Sequence, residues 1–370
     1  MAFFGFGRSG GSDAAVREAL GTIVDRYTGQ TLAEAKAIRE IDMRGAEVGV
    51  HLRLGYPAAG YVPALAQEVG ERLSAVLGVT RWDVSVDWKI EAHGVQAGLK
   101  RLPEVRNIVA VASGKGGVGK STTAVNLALA LHAEGARVGL LDADIYGPSQ
   151  PQMLGAHEKP QTLDGKHFEP VMAHGLQSMS IGYLIEEDNP MIWRGPMVTS
   201  ALQQLLNDTR WSDLDYLIVD MPPGTGDIQL TLSQKVPVAG AVIVTTPQDI
   251  ALLDARKGLK MFEKVNVPVL GVIENMSLHV CSQCGHVEPI FGEGGGERMA
   301  QGYGVPFLGG VPLDRRIREQ VDGGHPTLVS EPDGEISRRY REMARKLGAT
   351  LSLRAKDYSS LFPRIVVQND

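Results

Sequence analysis

The stretch Ile108-Val109-Ala110-Val111-Ala112-Ser113-Gly114-Lys115-Gly116-Gly117-Val118-Gly119-Lys120-Ser121-Thr122 decides how the chain folds. It starts as an unbroken apolar run, passes through a glycine-rich loop and continues with helical spacing from Ser121 to His132. Residues 114–121 satisfy G-x-x-x-x-G-K-[ST], the pattern of a phosphate-binding loop between a strand and a helix. Glycine permits φ > 0 and turns backbone N–H groups inward toward phosphate oxygens. A helix beginning near Lys120 points its positive dipole end at the same anion. Lys120 would neutralise β- and γ-phosphate charge, the Ser121 hydroxyl would ligate Mg2+, and Thr122 would touch the α-phosphate. The nucleotide-binding set is thus Gly114, Lys115, Gly116, Gly117, Val118, Gly119, Lys120, Ser121 and Thr122.

Outward from this loop the same texture repeats. Val138-Gly-Leu-Leu141 precedes Asp142, Tyr216-Leu-Ile-Val219 precedes Asp220, and Ala241-Val-Ile-Val244 and Val269-Leu-Gly-Val-Ile273 follow. Continuous apolar runs of this length fit strands buried on both faces. Helical stretches such as Ile250 to Val265 lie between them, so the fold class is α/β: a P-loop NTPase with a mostly parallel sheet covered by helices on both faces. Functional loops then lie at strand carboxyl ends. Asp220 ends a strand and enters Met221-Pro-Pro-Gly-Thr-Gly226-Asp227, where it can hold Mg2+ as the Walker B acid. Gly224 can present its N–H to the γ-phosphate and move after hydrolysis. Asp144, at another strand end, can orient the attacking water. Strand-end aspartates also serve as plain helix caps.

Ahead of this region, helical spacing over Asp13–Arg26 and Ala64–Leu77, with alternation at Val48–Leu54 and Trp82–Trp88, describes a small α+β domain. The expected organisation is a disordered 1–12, an α+β domain over 13–89, a linker over 90–106, the ATPase over 107–353 and a tail over 354–370. A net charge of -6 gives no support to sequence-independent nucleic-acid binding, which needs a basic face. There is no run of about 18 apolar residues to span a membrane, and the first residues do not read as a signal peptide. Two cysteines exclude a disulfide framework and suit a reducing cytoplasm.

Lys115-Gly-Gly-Val-Gly-Lys-Ser-Thr122 resembles the deviant Walker A motif of the MinD, ParA and nitrogenase-iron-protein group. Asp142-Ala-Asp-Ile-Tyr-Gly-Pro-Ser149, Trp193-Arg-Gly-Pro196, Asp220-Met-Pro-Pro-Gly-Thr-Gly-Asp227 and Glu274-Asn-Met-Ser277 narrow the resemblance to the Mrp/ApbC branch of iron–sulfur cluster carriers, over about 105–345. The resemblance implies a face-to-face homodimer in which Lys115 reaches the partner's nucleotide, with Lys115, Lys120 and Asp144 as the catalytic set. It also implies adenine contacts from Asn275 and from Pro312 and Asp314. Residues 13–89 resemble the cluster-assembly domain often fused ahead of this ATPase. Here the first loop, Val24-Asp25-Arg26-Tyr27-Thr28-Gly29, lacks that family's proline and the domain has no cysteine, so no cluster-binding role is assigned to it.

Both cysteines sit in Cys281-Ser282-Gln283-Cys284. This spacing alone is open among zinc, iron–sulfur and dithiol chemistry. One chain offers two thiolates, whereas a [4Fe–4S] cluster wants four, and a two-fold dimer supplies four from one contact. With the resemblance, Cys281 and Cys284 become half of a bridged cluster site, [4Fe–4S] or [2Fe–2S]. His286 completing a zinc site, a thioredoxin-like pair and a structural pair are the other readings. The expected function is an ATP- and Mg2+-dependent carrier that passes iron–sulfur clusters from assembly proteins to apoproteins. The alternative is a MinD- or ParA-like positioning ATPase acting on membrane or DNA, a class expected to carry a basic amphipathic helix or basic patches.

Overall fold

The structure is a computed structural model and describes residues 13–185 and 195–357. It divides into two compact units, residues 1–90 and 91–370.

The first unit packs α1 (Asp13–Gly21) and α2 (Val62–Ser74) on a three-stranded sheet ordered β1 (Ile38–Arg44), β2 (Glu47–Leu54), β3 (Arg81–Trp88). The alternation in β2 buries Val48, Val50, Leu52 and Leu54 on one face. β1 is an edge strand whose sequence mixes Arg39, Glu40, Asp42 and Arg44 with apolar residues, so no run marks it. The first helix stops at Gly21, five residues short of the expected Arg26. The chain then wraps around buried Asp25, which accepts hydrogen bonds from Tyr56 Oη at 2.7 Å and Thr28 Oγ1 at 2.7 Å.

The second unit is built on an eight-stranded sheet. In spatial order it runs β13 (Phe307–Val311), β10 (Val269–Asn275), β9 (Gly240–Thr245), β4 (Val105–Ala112), β8 (Leu214–Asp220), β5 (Val138–Asp142), β7 (Leu176–Ser180), β6 (Val171–Ala173). All neighbours pair in parallel except β6, which folds back antiparallel on β7. β5, β8 and β9 are buried at every position, which is why their sequences are continuous rather than alternating. α3 (Lys120–Ala133), α4 (Gln150–Leu154), α5 (Gly195–Asn207), α6 (Asp227–Lys235), α7 (Asp249–Lys264), α8 (Gly295–Gly302), α9 (Arg315–Asp322), α10 (Thr327–Ser330) and α11 (Glu335–Ser352) flank the sheet, and a two-stranded hairpin, β11 (His279–Val280) with β12 (Val287–Glu288), projects from it. α3 is buried almost throughout, and Glu134 just beyond its end, fully buried, pairs with Arg341 and Arg345 of α11.

From β4 the chain crosses to β5 on one side, while β9 and β10 lie on the other. The carboxyl end of β4 is therefore the crevice where an open α/β sheet receives ligand.

Residues 91–106 are not a free linker. His93 donates its backbone N–H to Asn107 Oδ1 at 3.1 Å, and the Gln96 amide bonds Ser233 O at 2.7 Å and receives Val238 N at 3.0 Å. Polar side chains that look solvated in sequence are here spent on the ends of α6 and β4. The start of the expected tail is fixed as well: Asp357 pairs with Arg101 at 2.6 Å, and Gly94 N–H bonds Ala355 O at 3.1 Å. The sequence expectations for 1–12 and 358–370, and the first two residues of Trp193-Arg-Gly-Pro196, lie outside the described residues.

Candidate functional site

The loop between β4 and α3 takes the shape its glycines require. Gly117 and Gly119 both have φ of 79°, a left-handed conformation, and Gly119 caps α3. Gly114 has a different reason to be glycine: a Cβ there would strike the backbone of Asp254 and Ala255 in α7. Thr123 Oγ1 donates back to Gly119 O at 2.8 Å, and Ser113 Oγ donates to Lys115 O at 2.9 Å. Around this turn lies a cavity of about 240 Å³, lined by the loop together with Asp144, Ser149, Met153 and Pro223.

At its floor Lys120 donates to Asp220 Oδ1 and to Ser121 Oγ at 3.1 Å. Asp220 is fully buried and Lys120 nearly so. The second Asp220 oxygen accepts from Gln150 Nε2 at 2.8 Å, and that amide also reaches Ser121 O at 3.1 Å. Beside it, Asp142 is fully buried and holds the following loop closed. It accepts from Asp144 N at 3.1 Å, Ser149 N at 3.0 Å, Gln150 N at 3.1 Å and Ser180 Oγ at 3.0 Å. Burial and the adjacent Asp220 push the Asp142 carboxyl up to about 7. Burial likewise raises Asp144, opposed by the Lys120 charge. Of these three carboxylates only Asp220 bonds Lys120; Asp142 is spent on the following loop, and Asp144 faces the cavity.

Of the residues expected here, Lys115, Gly116, Gly117, Gly119, Lys120, Ser121, Thr122 and Asp144 line the cavity, and Asp220 lies beneath it. Among the described residues the Lys115 ammonium has no acidic partner. Gly224 has φ of 96°, and its N–H is committed to Ser113 O at 3.1 Å rather than turned toward the cavity. Asn275 lies under the loop, its Nδ2 donating to Val118 O at 2.9 Å. Pro312 and Asp314 do not line the cavity. Pro312 lies within, and Asp314 just after, a stretch paired to 277–278 through Ser277 N to Val311 O at 2.9 Å and Leu313 N to Leu278 O at 2.7 Å, and Asp314 caps α9 by accepting Arg316 N at 2.8 Å. Sequence reading missed Gln150 as a partner of Asp220 and Asp142 as the organiser of the 144–150 loop. Asp142 had a signal in its strand-end position, whereas nothing local marked Gln150.

The cysteines cap the projecting hairpin. Cys281 N–H donates to His286 O at 2.9 Å and Gly285 N–H to Cys281 O at 2.9 Å, a tight turn with no helix following it. Cys281 is half-buried and Cys284 exposed. The backbone N–H groups of Cys284 and Gln283, with the Cys284 side chain, pull the Cys281 thiol down. Among the described residues no three His, Cys, Asp or Glu side chains gather into a metal-holding group. No helix of the described residues is long and apolar enough to cross a membrane.

The phosphate loop and the thiol pair belong to one unit. The family model described as NUBPL iron-transfer P-loop NTPase matches residues 104–348. The chain belongs to that family. A second model, iron-sulfur cluster assembly protein, matches residues 13–86. This iron-transfer P-loop NTPase is 58% identical over 292 residues to an iron-sulfur cluster carrier protein of Escherichia coli, covering 77% of this chain and 79% of that one. It is 43% identical over 346 residues to a carrier protein of Synechocystis, covering 92% and 98%. With the mouse iron-sulfur cluster transfer protein NUBPL it shares 52% identity over 247 residues, 66% of this chain and 77% of that one. Among solved structures, a nucleotide-binding protein of Archaeoglobus fulgidus in complex with ADP matches with a TM-score of 0.56 at 36% identity, covering 64% of this chain and 92% of that one.

Proposed function

We propose that this protein is an ATP-hydrolysing carrier that holds an iron–sulfur cluster between two copies of itself and passes it to apoproteins. One observation carries the reading: the loop with the phosphate-binding pattern and the hairpin that carries two thiols belong to one unit, and Asn275, six residues before Cys281, is hydrogen-bonded to the loop. Lys120 and the loop N–H groups would bind the β- and γ-phosphates. Ser121 and Asp220 would hold Mg2+, whose charge offsets that of the phosphates. Asp144 would orient the attacking water, and Asn275 with the 312–314 segment would face the base.

Lys115 lines the cavity and has no acidic partner among the described residues, which leaves its ammonium available to act on a partner's nucleotide. Two thiols per chain make half of a four-thiolate [4Fe–4S] set, and a two-fold dimer completes it. The cluster is cargo: a hairpin turn with one exposed thiol suits ligands that must be surrendered. The thiol pair favours cluster transfer over spatial positioning, which has no use for it.

Anaerobic reconstitution with iron and sulfide tests this. Native protein should gain iron, sulfide and broad visible absorption in a dimer by native mass. The double variant Cys281→Ala, Cys284→Ala should gain none and still bind nucleotide. Full iron loading in the double variant would falsify the assignment.

A further inference from the structure

The carrier reading needs the nucleotide site to govern the thiols, and the end of β10 supplies a route between them. Asn275 is the last residue of β10 and is 8% exposed. Its amide donates to Val118 O, and it lies so close to the loop that a Cβ on Gly119 would strike Nδ2. Met276 follows in the left-handed region, φ 55°, where a non-glycine residue is uncommon. There the chain turns out toward the hairpin, and Ser277 fixes the turn through two bonds to Val311 O, from N at 2.9 Å and from Oγ at 3.1 Å.

The excursion returns at Gly295–Gly302, and its return is held from the same strand. Gly294, the cap of this helix, has no side chain to satisfy the first N–H groups. Glu274, next to Asn275 and 2% exposed, accepts Gly296 N–H at 2.5 Å. A Cβ on Gly296 would come within 3.1 Å of Glu274, so the glycine allows this approach. Departure and return of the cysteine-bearing segment are thereby both tied to two adjacent residues, one of which also grips the phosphate loop.

We infer that Glu274 is a positioning residue that couples the phosphate loop to the thiols: any shift of the β10 end with Val118 moves both feet of the hairpin together. This rests on the carrier reading for its purpose, not for its test. A buried carboxylate that merely capped α8 would set stability alone. A coupling residue also sets how far the thiols respond to nucleotide.

The chain's two cysteines are the hairpin pair, so bulk thiol labelling of the cluster-free protein reports on this segment alone. With Mg2+ and ADP as the probe, the labelling rate of the native protein should change by about fivefold or more, the lower end of coupling between linked sites. Glu274→Ala should bind ADP with nearly native affinity and lose that change. Glu274→Gln, which keeps an acceptor for Gly296, should restore most of it. If Glu274→Ala does not fold, Glu274→Asp, which keeps the charge but withdraws it by one methylene, takes its place. Hydrogen exchange of native 289–302 should also respond to ADP. A full ADP response in Glu274→Ala, or no response in the native protein, overturns the inference. Failure to take up iron would instead sink the carrier reading and leave the labelling result standing.

Discussion

Lys120 and Asp220 form an ion pair beneath the phosphate loop, with neither side chain more than 6% exposed. A pair this buried contributes little net stability while intact, but removing one partner strands the other charge. Asp220→Ala should therefore cost about 3–5 kcal/mol, as breaking a buried pair does. It should also remove Mg2+-dependent nucleotide binding. Denaturant unfolding reads the first effect and calorimetry the second, and a variant as stable as the native protein would contradict the pairing.

Lys115 separates binding from hydrolysis. Lys115→Ala should keep nucleotide affinity within a few fold and lower turnover by about 10²–10³, the scale of one lost transition-state donor. If the lysine acts across the dimer, mixing Lys115→Ala with Lys120→Ala should recover hydrolysis. The mixed dimer has one site that keeps its own Lys120 and faces an intact Lys115 from its partner. Two inactive variants that stay inactive together would place Lys115 in its own subunit's site.

Gly114→Ala tests how tightly the loop is pressed on α7. The new Cβ would meet main-chain atoms of Asp254 and Ala255, which cannot swing aside. Nucleotide binding should fall sharply and the melting temperature should drop. Gly116→Ala, where a Cβ meets only Pro223 at 4.0 Å, should melt near the native temperature. Equal melting temperatures for the two variants would count against this packing.

The Cys281 thiol is held down by backbone N–H groups of Gln283 and Cys284, which favour the thiolate. A lowered value means that thiolate forms at lower pH, so labelling of Cys281 should rise with pH and reach its plateau earlier than a cysteine in an unstructured peptide. Mass-spectrometric labelling of the cluster-free protein across pH 6–10 reads this. A profile matching the free peptide would show that the turn does not hold the thiolate.

The five inner apolar runs were legible as strands because burial on both faces keeps their middle positions apolar and leaves the polar residues toward the strand ends. β13 and β1 were not. Phe307-Leu-Gly-Gly-Val311 carries two glycines, and Ile38–Arg44 lies at an edge where charges alternate with apolar residues. α11 also went unread, although Tyr340, Met343, Ala344 and Leu347 bury one side of it. The 90–106 stretch misled in the opposite direction. Its polar residues have the composition of a linker, yet Gln96 and Arg101 spend theirs on partners more than 100 residues away.

By itself the sequence determined the phosphate loop, the strand-end aspartates and the thiol pair, because each is set by short-range spacing: a loop that must turn, a strand that must end, two sulfurs in one turn. Tertiary structure alone decided which of these groups touch. Gln150 reaches Asp220, Asn275 reaches Val118 and Glu274 reaches Gly296 because a parallel sheet gathers its strand ends, and the loops and helices that follow them, along one edge. A hydrogen bond between such elements leaves no periodic mark in the residues that make it.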